Sequence, residues 1–335
     1  MRQNADPPPV ASRCRAAIVA LAATTVLMSA ACASGTSDSA TPATRVDAPK
    51  NETIAVAASF YPIAEAVTRV GGDRVEVQNL TPPGGGPHDL ELQPQQVNDL
   101  SEADALFFLS KGFQPQVEKA AAELPDGVRS VDVLEGIDLL PVQDQLEGTQ
   151  GEVDGEELEG GYDPHVWVDP ILQSQIAQRV HDVLVEIDPA GKADYDSRLA
   201  AYQAELASLD SEFEAGLATC GSRVIVTSHR AFEYLAKRYD LTQISIAGLS
   251  PDEEPDPRTL EAVAAAAQRE NVSVVFFEEQ VPPDLSETVA REIGARTDAL
   301  DPVETITQED LDAGTTYTTV MQANLESLTE GLSCT

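Results

Sequence analysis

Four histidines occur in the 335 residues of this chain, and three of them stand where the chain is about to turn. His88 follows "PPGGGP", His165 lies between two prolines in "DPHVWVDP", and His229 directly follows the apolar run "RVIVTS". Asp301 stands in "DALDP", at the end of another strand-like run. Three imidazoles and one carboxylate suit tetrahedral Zn²⁺, whereas Mn²⁺ accepts more oxygen ligands. These four residues are candidate metal ligands, although any one of them alone is typical of a solvated loop.

The fourth histidine is not a candidate ligand. His181 lies inside the predicted helix "PILQSQIAQRVHDVLVEI". At 3.6 residues per turn it falls about 120° from the centre of the apolar stripe of that helix. We therefore predict that His181 is a solvated flank residue.

Strand-like segments alternate with short helical patterns along most of the chain. Eight strands are predicted, at residues 53–59, 74–80, 104–110, 128–133, 223–228, 242–248, 272–279 and 295–302. This alternation predicts an α/β fold of two similar halves, each a parallel sheet flanked by helices. Ligands of such sheets bind outside the carboxyl ends of the strands, which is where these assignments put His88, His229 and Asp301.

A long amphipathic segment separates the two halves. Its apolar residues recur every three or four positions and form one helical stripe: Tyr195, Leu199, Tyr202, Leu206, Leu209, Phe213 and Leu217. The pattern allows two interpretations, a stiff rod that joins two lobes or an ordinary surface helix. The predicted organisation is an N-terminal lobe at residues 53–190, a linking helix at 191–219 and a C-terminal lobe at 220–335.

The charge balance limits the classes of partner. Acidic residues number 57 and basic residues 21, for a net charge of −36. This balance argues against nucleic acid, which requires a basic surface. It fits a protein that meets cations, or one that repulsion keeps soluble.

The N-terminus has the layout of an export signal over residues 1–32. A basic start precedes an apolar, small-residue run that is too short to span a membrane. The run ends in "MSAAC", which resembles a lipoprotein processing site with Cys32 as the lipidated residue, although Ser29 stands where Leu is usual. The alternative is ordinary signal cleavage nearby. Residues 33–52 are rich in Ser, Thr, Ala and Pro, and they predict a flexible tether.

The cysteine count agrees with export. Cys14 would leave with the signal and Cys32 would carry lipid, so two cysteines remain. An even number in an oxidising compartment predicts a disulfide between Cys220 and Cys334.

The order of motifs identifies a family. Five motifs occur in this order between residues 60 and 302: "FYPIAEAVTRVGGDRVEVQNLTPPGGGPHDLELQP", "DPHVWVDP", "TSHRAFEYLAKRYDL", "GLSPDEEPDPRTLEAV" and "VVFFEEQVPPDLSETVAREIGARTDALDP". Together they resemble the solute-binding lipoproteins of bacterial ABC importers for zinc and manganese, most of all the zinc-uptake branch. The resemblance implies two α/β lobes joined by one long rigid helix, with the metal in the cleft between them.

The resemblance also implies the ligands and the partners. The ligands carried over are His88, His165, His229 and Asp301, and they would hold Zn²⁺, or Mn²⁺, as the transported ion rather than as a catalyst. Manganese-type members commonly have a carboxylate in the place of His229, which favours zinc. The expected partners are a membrane permease and its ATPase. The protein would be a monomer, lipid-anchored at the outer face of the cell membrane.

Two segments depart from the family pattern. The family usually has Glu-Pro-Gln where this chain has Glu278, Glu279 and Gln280. We interpret Glu278 as support for a ligand rather than as a ligand. The loop at residues 144–163 has eight acidic residues and no histidine, although zinc members often carry a His-rich insertion there. Its composition predicts disorder, and it is either simply solvated or gathers cations weakly near the cleft.

Two other function classes remain as alternatives. A zinc-dependent hydrolase would need an open coordination position for water, which exists only if Asp301 lies outside the metal shell. An adhesin is the third class, but no binding surface for it is evident in the sequence. The expected mechanism is metal capture by ligands from both halves, with local loop ordering or a small tilt rather than a wide hinge.

Overall fold

The computed structural model of the protein describes residues 53–142, 161–278 and 282–335. The predicted signal, the tether and most of the acidic loop lie outside these residues, as do Cys32 and Glu279. Across the described residues, no helix combines the length and the apolar character needed to cross a membrane.

The first half forms a four-stranded parallel sheet with the strand order β2-β1-β3-β4. Its strands are β1 (Ile54–Ala58), β2 (Val75–Asn79), β3 (Ala105–Phe108) and β4 (Arg129–Asp132). Its helices are α1 (Tyr61–Gly71), α2 (Pro94–Glu102), α3 (Pro115–Ala122) and α4 (Pro170–Ile187). Each helix has proline in its first turn, where the missing N–H costs no hydrogen bond.

The second half repeats this topology with the strand order β6-β5-β7-β8. Its strands are β5 (Val224–Thr227), β6 (Thr242–Ser245), β7 (Val274–Phe277) and β8 (Arg296–Ala299), all parallel. Its helices are α6 (Glu233–Arg238), α7 (Pro257–Arg269), α8 (Asp284–Ile293), α9 (Gln308–Ala313) and α10 (Tyr317–Gly331). All eight predicted strands are present, and the predicted α/β class with two similar sheets is confirmed.

The linking helix α5 (Lys192–Gly216) is 25 residues long, or about 37 Å at 1.5 Å per residue. The side chains of its apolar stripe are buried: Tyr195, Leu199, Tyr202, Leu206, Leu209 and Phe213. They pack against α1 and α4 of the first half and α10 of the second. The stripe therefore belongs to one core shared by both halves, as expected of a connecting rod rather than of an ordinary surface helix.

The outer face of each sheet has a smaller core of its own. On the first sheet, Leu106 packs with Leu100 of α2 and Val117 of α3. On the second sheet, Val275 packs with Val263 of α7 and Val289 of α8. Both faces of both sheets are therefore covered, and the ends of the strands are left to present polar groups.

The predicted disulfide between Cys220 and Cys334 is present and closes a loop of 114 residues. Next to it, Thr335 N donates to Thr219 O at 2.9 Å. The bond fastens the end of the chain to the segment that leads into β5. It therefore lies at the amino end of the second sheet, opposite the edge where ligands are expected.

We predict that replacing both cysteines, as in Cys220→Ser with Cys334→Ser, lowers the free energy of unfolding by about 2–4 kcal/mol. The reason is that the unfolded chain gains the freedom of the opened loop. Denaturant titration of the oxidised protein and the double variant measures this loss. Metal affinity should be unchanged, and a loss as large as that of His229→Ala would contradict our placement of the bond away from the site.

Candidate metal centre

His88 is positioned by the proline- and glycine-rich loop between β2 and α2. Gly84 has φ +74°, a left-handed conformation that glycine adopts without strain, and its N–H donates to Ile306 O at 2.9 Å. The next carbonyl before the histidine, Pro87 O, accepts from the buried Gln114 at 3.2 Å. The imidazole itself is buried and packs edge-on to the ring of Phe113, with centroids 4.7 Å apart. The loop is thus fixed on both sides of its turn.

His165 lies between β4 and α4, immediately before the short 3₁₀ helix Val166–Val168. Its Nδ1 is 2.7 Å from Oδ1 of Asp163, and its backbone N–H donates to the same oxygen at 2.9 Å. Asp163 therefore sets the ring orientation and holds the proton on Nδ1. Nε2 of His165 is fully buried and points towards Glu304, with Oε1 of Glu304 at 3.3 Å.

His229 follows β5, as the sequence predicts. Its Nδ1 lies 2.5 Å from Oε1 of Glu278, which stands at the carboxyl end of β7. The same carboxylate accepts from the hydroxyl of Ser228. The backbone carbonyl of His229 accepts from Thr227 Oγ1 at 2.7 Å and from Gln243 at 3.1 Å. A carboxylate thus orients this imidazole in the same way that Asp163 orients His165.

Glu304, in the loop after β8, completes the group. One metal-ligating atom from each of His88, His165, His229 and Glu304 can be chosen so that all four lie within 4.8 Å of one another. Oε1 of Glu304 is 3.3 Å from Nε2 of His165 and 3.3 Å from Nε2 of His229. Its Oε2 is 3.4 Å from Nε2 of His88.

The distances from Glu304 to the three imidazoles match those expected around a tetrahedral metal ion. Ligand atoms about 2.0–2.1 Å from zinc at tetrahedral angles are about 3.3 Å from one another. All four side chains are buried, and each histidine presents Nε2 towards the carboxylate. A tetrahedral ion held by these four protein groups would have no coordination site left for water.

The metal-free arrangement is itself a buried charge network. Burial disfavours the charged imidazole of His229, but the carboxylates of Glu278 and Glu304 outweigh burial and raise its pKa to about 10. Burial likewise disfavours the carboxylate of Glu304, but the imidazoles of His88 and His229 hold the pKa of Glu304 well below its usual range. At neutral pH a proton on His229 therefore stands in for part of the charge of a metal ion.

Asp301, the carboxylate expected from the sequence, is not in this group. Its Oδ1 accepts from the N–H of Val303 at 2.7 Å, and its backbone N–H donates to Oδ1 of Asn324 at 2.8 Å. The loop after β8 offers two acids, and the structure directs the second one, Glu304, at the imidazoles. The sequence signal for this difference was the proline after Asp301. A proline there ends the strand and begins a turn, so the residues after the turn point in another direction.

His181 lies outside the group, but the prediction that it is solvated is wrong. It is 8% exposed, and its Nε2 lies 2.8 Å from Oδ1 of Asp196 on α5. The packing of α5 on α4 covers a flank that would be open on an isolated helix. Among the described residues, it is the one histidine that does not face Glu304.

Proteins that bind or take up zinc are similar to this chain. The family model of ZnuA, the periplasmic component A of a zinc-uptake complex, matches residues 56–331. Zinc-binding lipoprotein AdcA of Streptococcus pneumoniae is 33% identical over 275 residues, which are 82% of this chain and 54% of AdcA. High-affinity zinc uptake system protein ZnuA of Bacillus subtilis is 32% identical over 289 residues, which are 84% of this chain and 89% of that protein.

A solved structure with zinc bound is also similar to this chain. The crystal structure of the Zn(II)-bound ZnuA-like domain of Streptococcus pneumoniae AdcA superposes with a TM-score of 0.71 at 31% identity. The match covers 84% of this chain and 99% of that domain. The chain therefore spans about half the length of AdcA but nearly all of its ZnuA-like domain.

We predict that Glu304→Gln lowers zinc affinity by about 100-fold or more, because it removes the negative ligand from three buried imidazoles. Asp301→Asn, the matched control, keeps an oxygen that can accept from Val303 N and should change the affinity by less than about three-fold. Competition with a chromogenic chelator measures both values. A larger loss for Asp301→Asn than for Glu304→Gln would return the ligand role to Asp301.

We also predict that zinc binding near pH 7 releases at least one proton. The pKa of His229 is raised to about 10 in the metal-free site, whereas a bound imidazole must be neutral. Affinity should therefore rise with pH, by up to about ten-fold per unit for each proton displaced. Calorimetry in buffers of different ionisation enthalpy counts the protons, and a binding enthalpy that does not depend on the buffer would contradict the prediction.

Proposed function

The chain belongs to the ZnuA family of periplasmic zinc-uptake components, and from this membership we propose that it captures Zn²⁺ outside the cytoplasm and delivers it to an ABC importer. The observation that carries the proposal is the position of the Glu304 carboxylate, 3.3–3.4 Å from Nε2 of three histidines. This arrangement favours one tetrahedral ion held entirely by the protein.

The ligand set favours carriage over catalysis. A catalytic zinc site usually has three protein ligands and a position open to water, whereas here four protein groups face one another. The family is a component of a transport system and not a family of enzymes. A hydrolase is accordingly not favoured.

The ligand set also favours zinc over manganese. Three of the four groups are imidazoles, which suit zinc, whereas manganese prefers oxygen ligands and more of them. The carboxylates of Asp163 and Glu278 contact imidazoles rather than the central position, so they add no oxygen ligand. They orient the imidazoles and raise their basicity, which strengthens binding to zinc.

The metal would bridge the two halves of the chain. His88 and His165 precede α5, and His229 and Glu304 follow it. Direct hydrogen bonds already join the halves beside the site, from Trp167 Nε1 to Pro302 O at 2.7 Å and from the hydroxyl of Tyr234 to Asp163 O at 2.8 Å. With a shared core and these bonds, we expect release by local loop movement rather than by wide opening of the halves.

The proposed setting is a lipid anchor at the outer face of the cell membrane. The relative AdcA is named a lipoprotein, and Cys32 follows an apolar export segment in this chain. We propose that Cys32 carries the lipid and that the folded part acts as a monomer. Its partners would be a membrane permease and the ATPase of that importer.

We predict that the purified protein binds one zinc ion and that His88→Ala, His165→Ala and His229→Ala each lower the affinity by more than about 100-fold. Each variant removes one ligand and leaves the others buried. His181→Ala is the matched control because it removes a buried imidazole outside the group, and it should bind like the wild type. Calorimetric titration with chelator competition measures all four variants, and an equal loss in His181→Ala would overturn the site.

The same titration with Mn²⁺ decides between the two metals. We expect weaker binding of Mn²⁺ than of Zn²⁺, because three imidazoles favour zinc. Equal affinities would favour a manganese-binding role.

A further inference from the structure

The residue before the carboxylate ligand has an unusual backbone. Val303 has φ +61°, the left-handed conformation that β-branched residues rarely adopt, and its side chain is fully buried. Such strain persists only where the surrounding contacts impose it, and it often occurs at sites that bind or switch. Here it lies one residue from Glu304.

The peptide unit between Pro302 and Val303 is held from both sides. Its carbonyl, Pro302 O, accepts from the indole Nε1 of Trp167 at 2.7 Å. Its N–H, on Val303, donates to Oδ1 of Asp301 at 2.7 Å. Rotating this unit would break both hydrogen bonds and would change the φ of Val303. The strain at Val303 therefore favours rotation of this peptide unit, and the two hydrogen bonds oppose it.

The segments on either side of this unit are anchored. Asn324 on α10 accepts from Asp301 N at 2.8 Å and donates to Asp301 O at 2.6 Å. Three residues after Val303, Ile306 O accepts from Gly84 N at 2.9 Å. Only residues 302–305 lie between these anchors, so a change in the φ of Val303 must be taken up within them and displaces Glu304.

Trp167 connects this unit to the opposite half of the site. It is fully buried two residues after His165, and the two rings lie 5.1 Å apart. Phe60 packs against the indole at 4.7 Å. The backbone carbonyl of Trp167 accepts from the hydroxyl of Tyr317 at 2.7 Å. The hydrogen bond from the indole N–H to Pro302 O thus connects the loop that carries Glu304 to the segment that carries His165.

We propose that Trp167 is a positioning residue for Glu304. Its indole N–H holds the Pro302–Val303 peptide unit in the strained orientation that aims the carboxylate at the three imidazoles. Rotation of this unit is the step in which the carboxylate leaves the metal, so zinc is released without separation of the two halves. This inference rests on the proposed function, and it adds the local element that releases the ion.

The test is the zinc dissociation rate of Trp167→Phe, measured by stopped flow with excess chelator. Phenylalanine keeps an aromatic ring but removes the donor to Pro302 O, so we expect dissociation about five-fold faster or more. Tyr317→Phe is the matched control, because it removes a buried hydrogen bond to the same tryptophan without touching the indole N–H. It should lower the melting temperature and leave the dissociation rate unchanged.

A double-mutant cycle shows whether Trp167 acts through Glu304. In the Glu304→Gln background, Trp167→Phe should not accelerate dissociation further. An undiminished effect in that background, equal acceleration by Trp167→Phe and Tyr317→Phe, or a wild-type rate for Trp167→Phe would each overturn the inference. A wild-type protein that binds no zinc would instead overturn the proposed function.

A second pair of variants tests the same unit if Trp167→Phe does not fold. Val303→Gly and Val303→Ala both remove the two buried γ-methyl groups, but only glycine adopts positive φ without strain. Zinc should therefore leave Val303→Ala about five-fold faster than Val303→Gly. Equal rates would show that the strained conformation has no part in release.

Discussion

The central interaction of this structure is that of one buried carboxylate with three buried imidazoles. A lone charge in such a place would cost many kcal/mol, so Glu304 and the histidines tolerate burial only because they face one another. In the metal-free protein the balance is kept by a raised pKa of His229 and a lowered pKa of Glu304. The same balance prepares the site for a dication, which can replace the proton and complete the pairing.

The need to hold these groups in place explains much of the architecture. Two of the imidazoles come from segments before the linking helix, and the third comes with Glu304 from segments after it. A misplacement of about 1 Å between the halves would spoil the contacts of 3.3–3.4 Å between Glu304 and the three imidazoles. The apolar stripe of α5, packed against α1, α4 and α10, removes most of that freedom. Asp163 and Glu278 then fix the individual imidazole rings of His165 and His229. Both the arrangement of the halves and the orientation of these rings are therefore restrained.

The proposed function requires that the protein release its ion as well as bind it. The shared core and the hydrogen bonds between the halves oppose a wide hinge. The loop after β8 contains a buried valine in a left-handed conformation beside Glu304, the carboxylate of the proposed ligand group. Stiffness in the frame and strain in one ligand loop together allow tight binding and local release within one molecule.

The amino-acid sequence by itself determined the features that depend on local patterns. Strand-like composition placed the eight strands and a period of 3.6 residues placed α5. The cysteine count paired Cys220 with Cys334, and the strand ends located His88 and His229. Only the tertiary structure decided which carboxylate faces the histidines, because Asp301 and Glu304 share a loop whose turn depends on contacts with Trp167 and Asn324. The burial of His181 was also decided only by the tertiary structure, because α5 packs over the flank of α4 that carries this histidine. Both depend on contacts between segments that are distant in sequence, which a local pattern cannot contain.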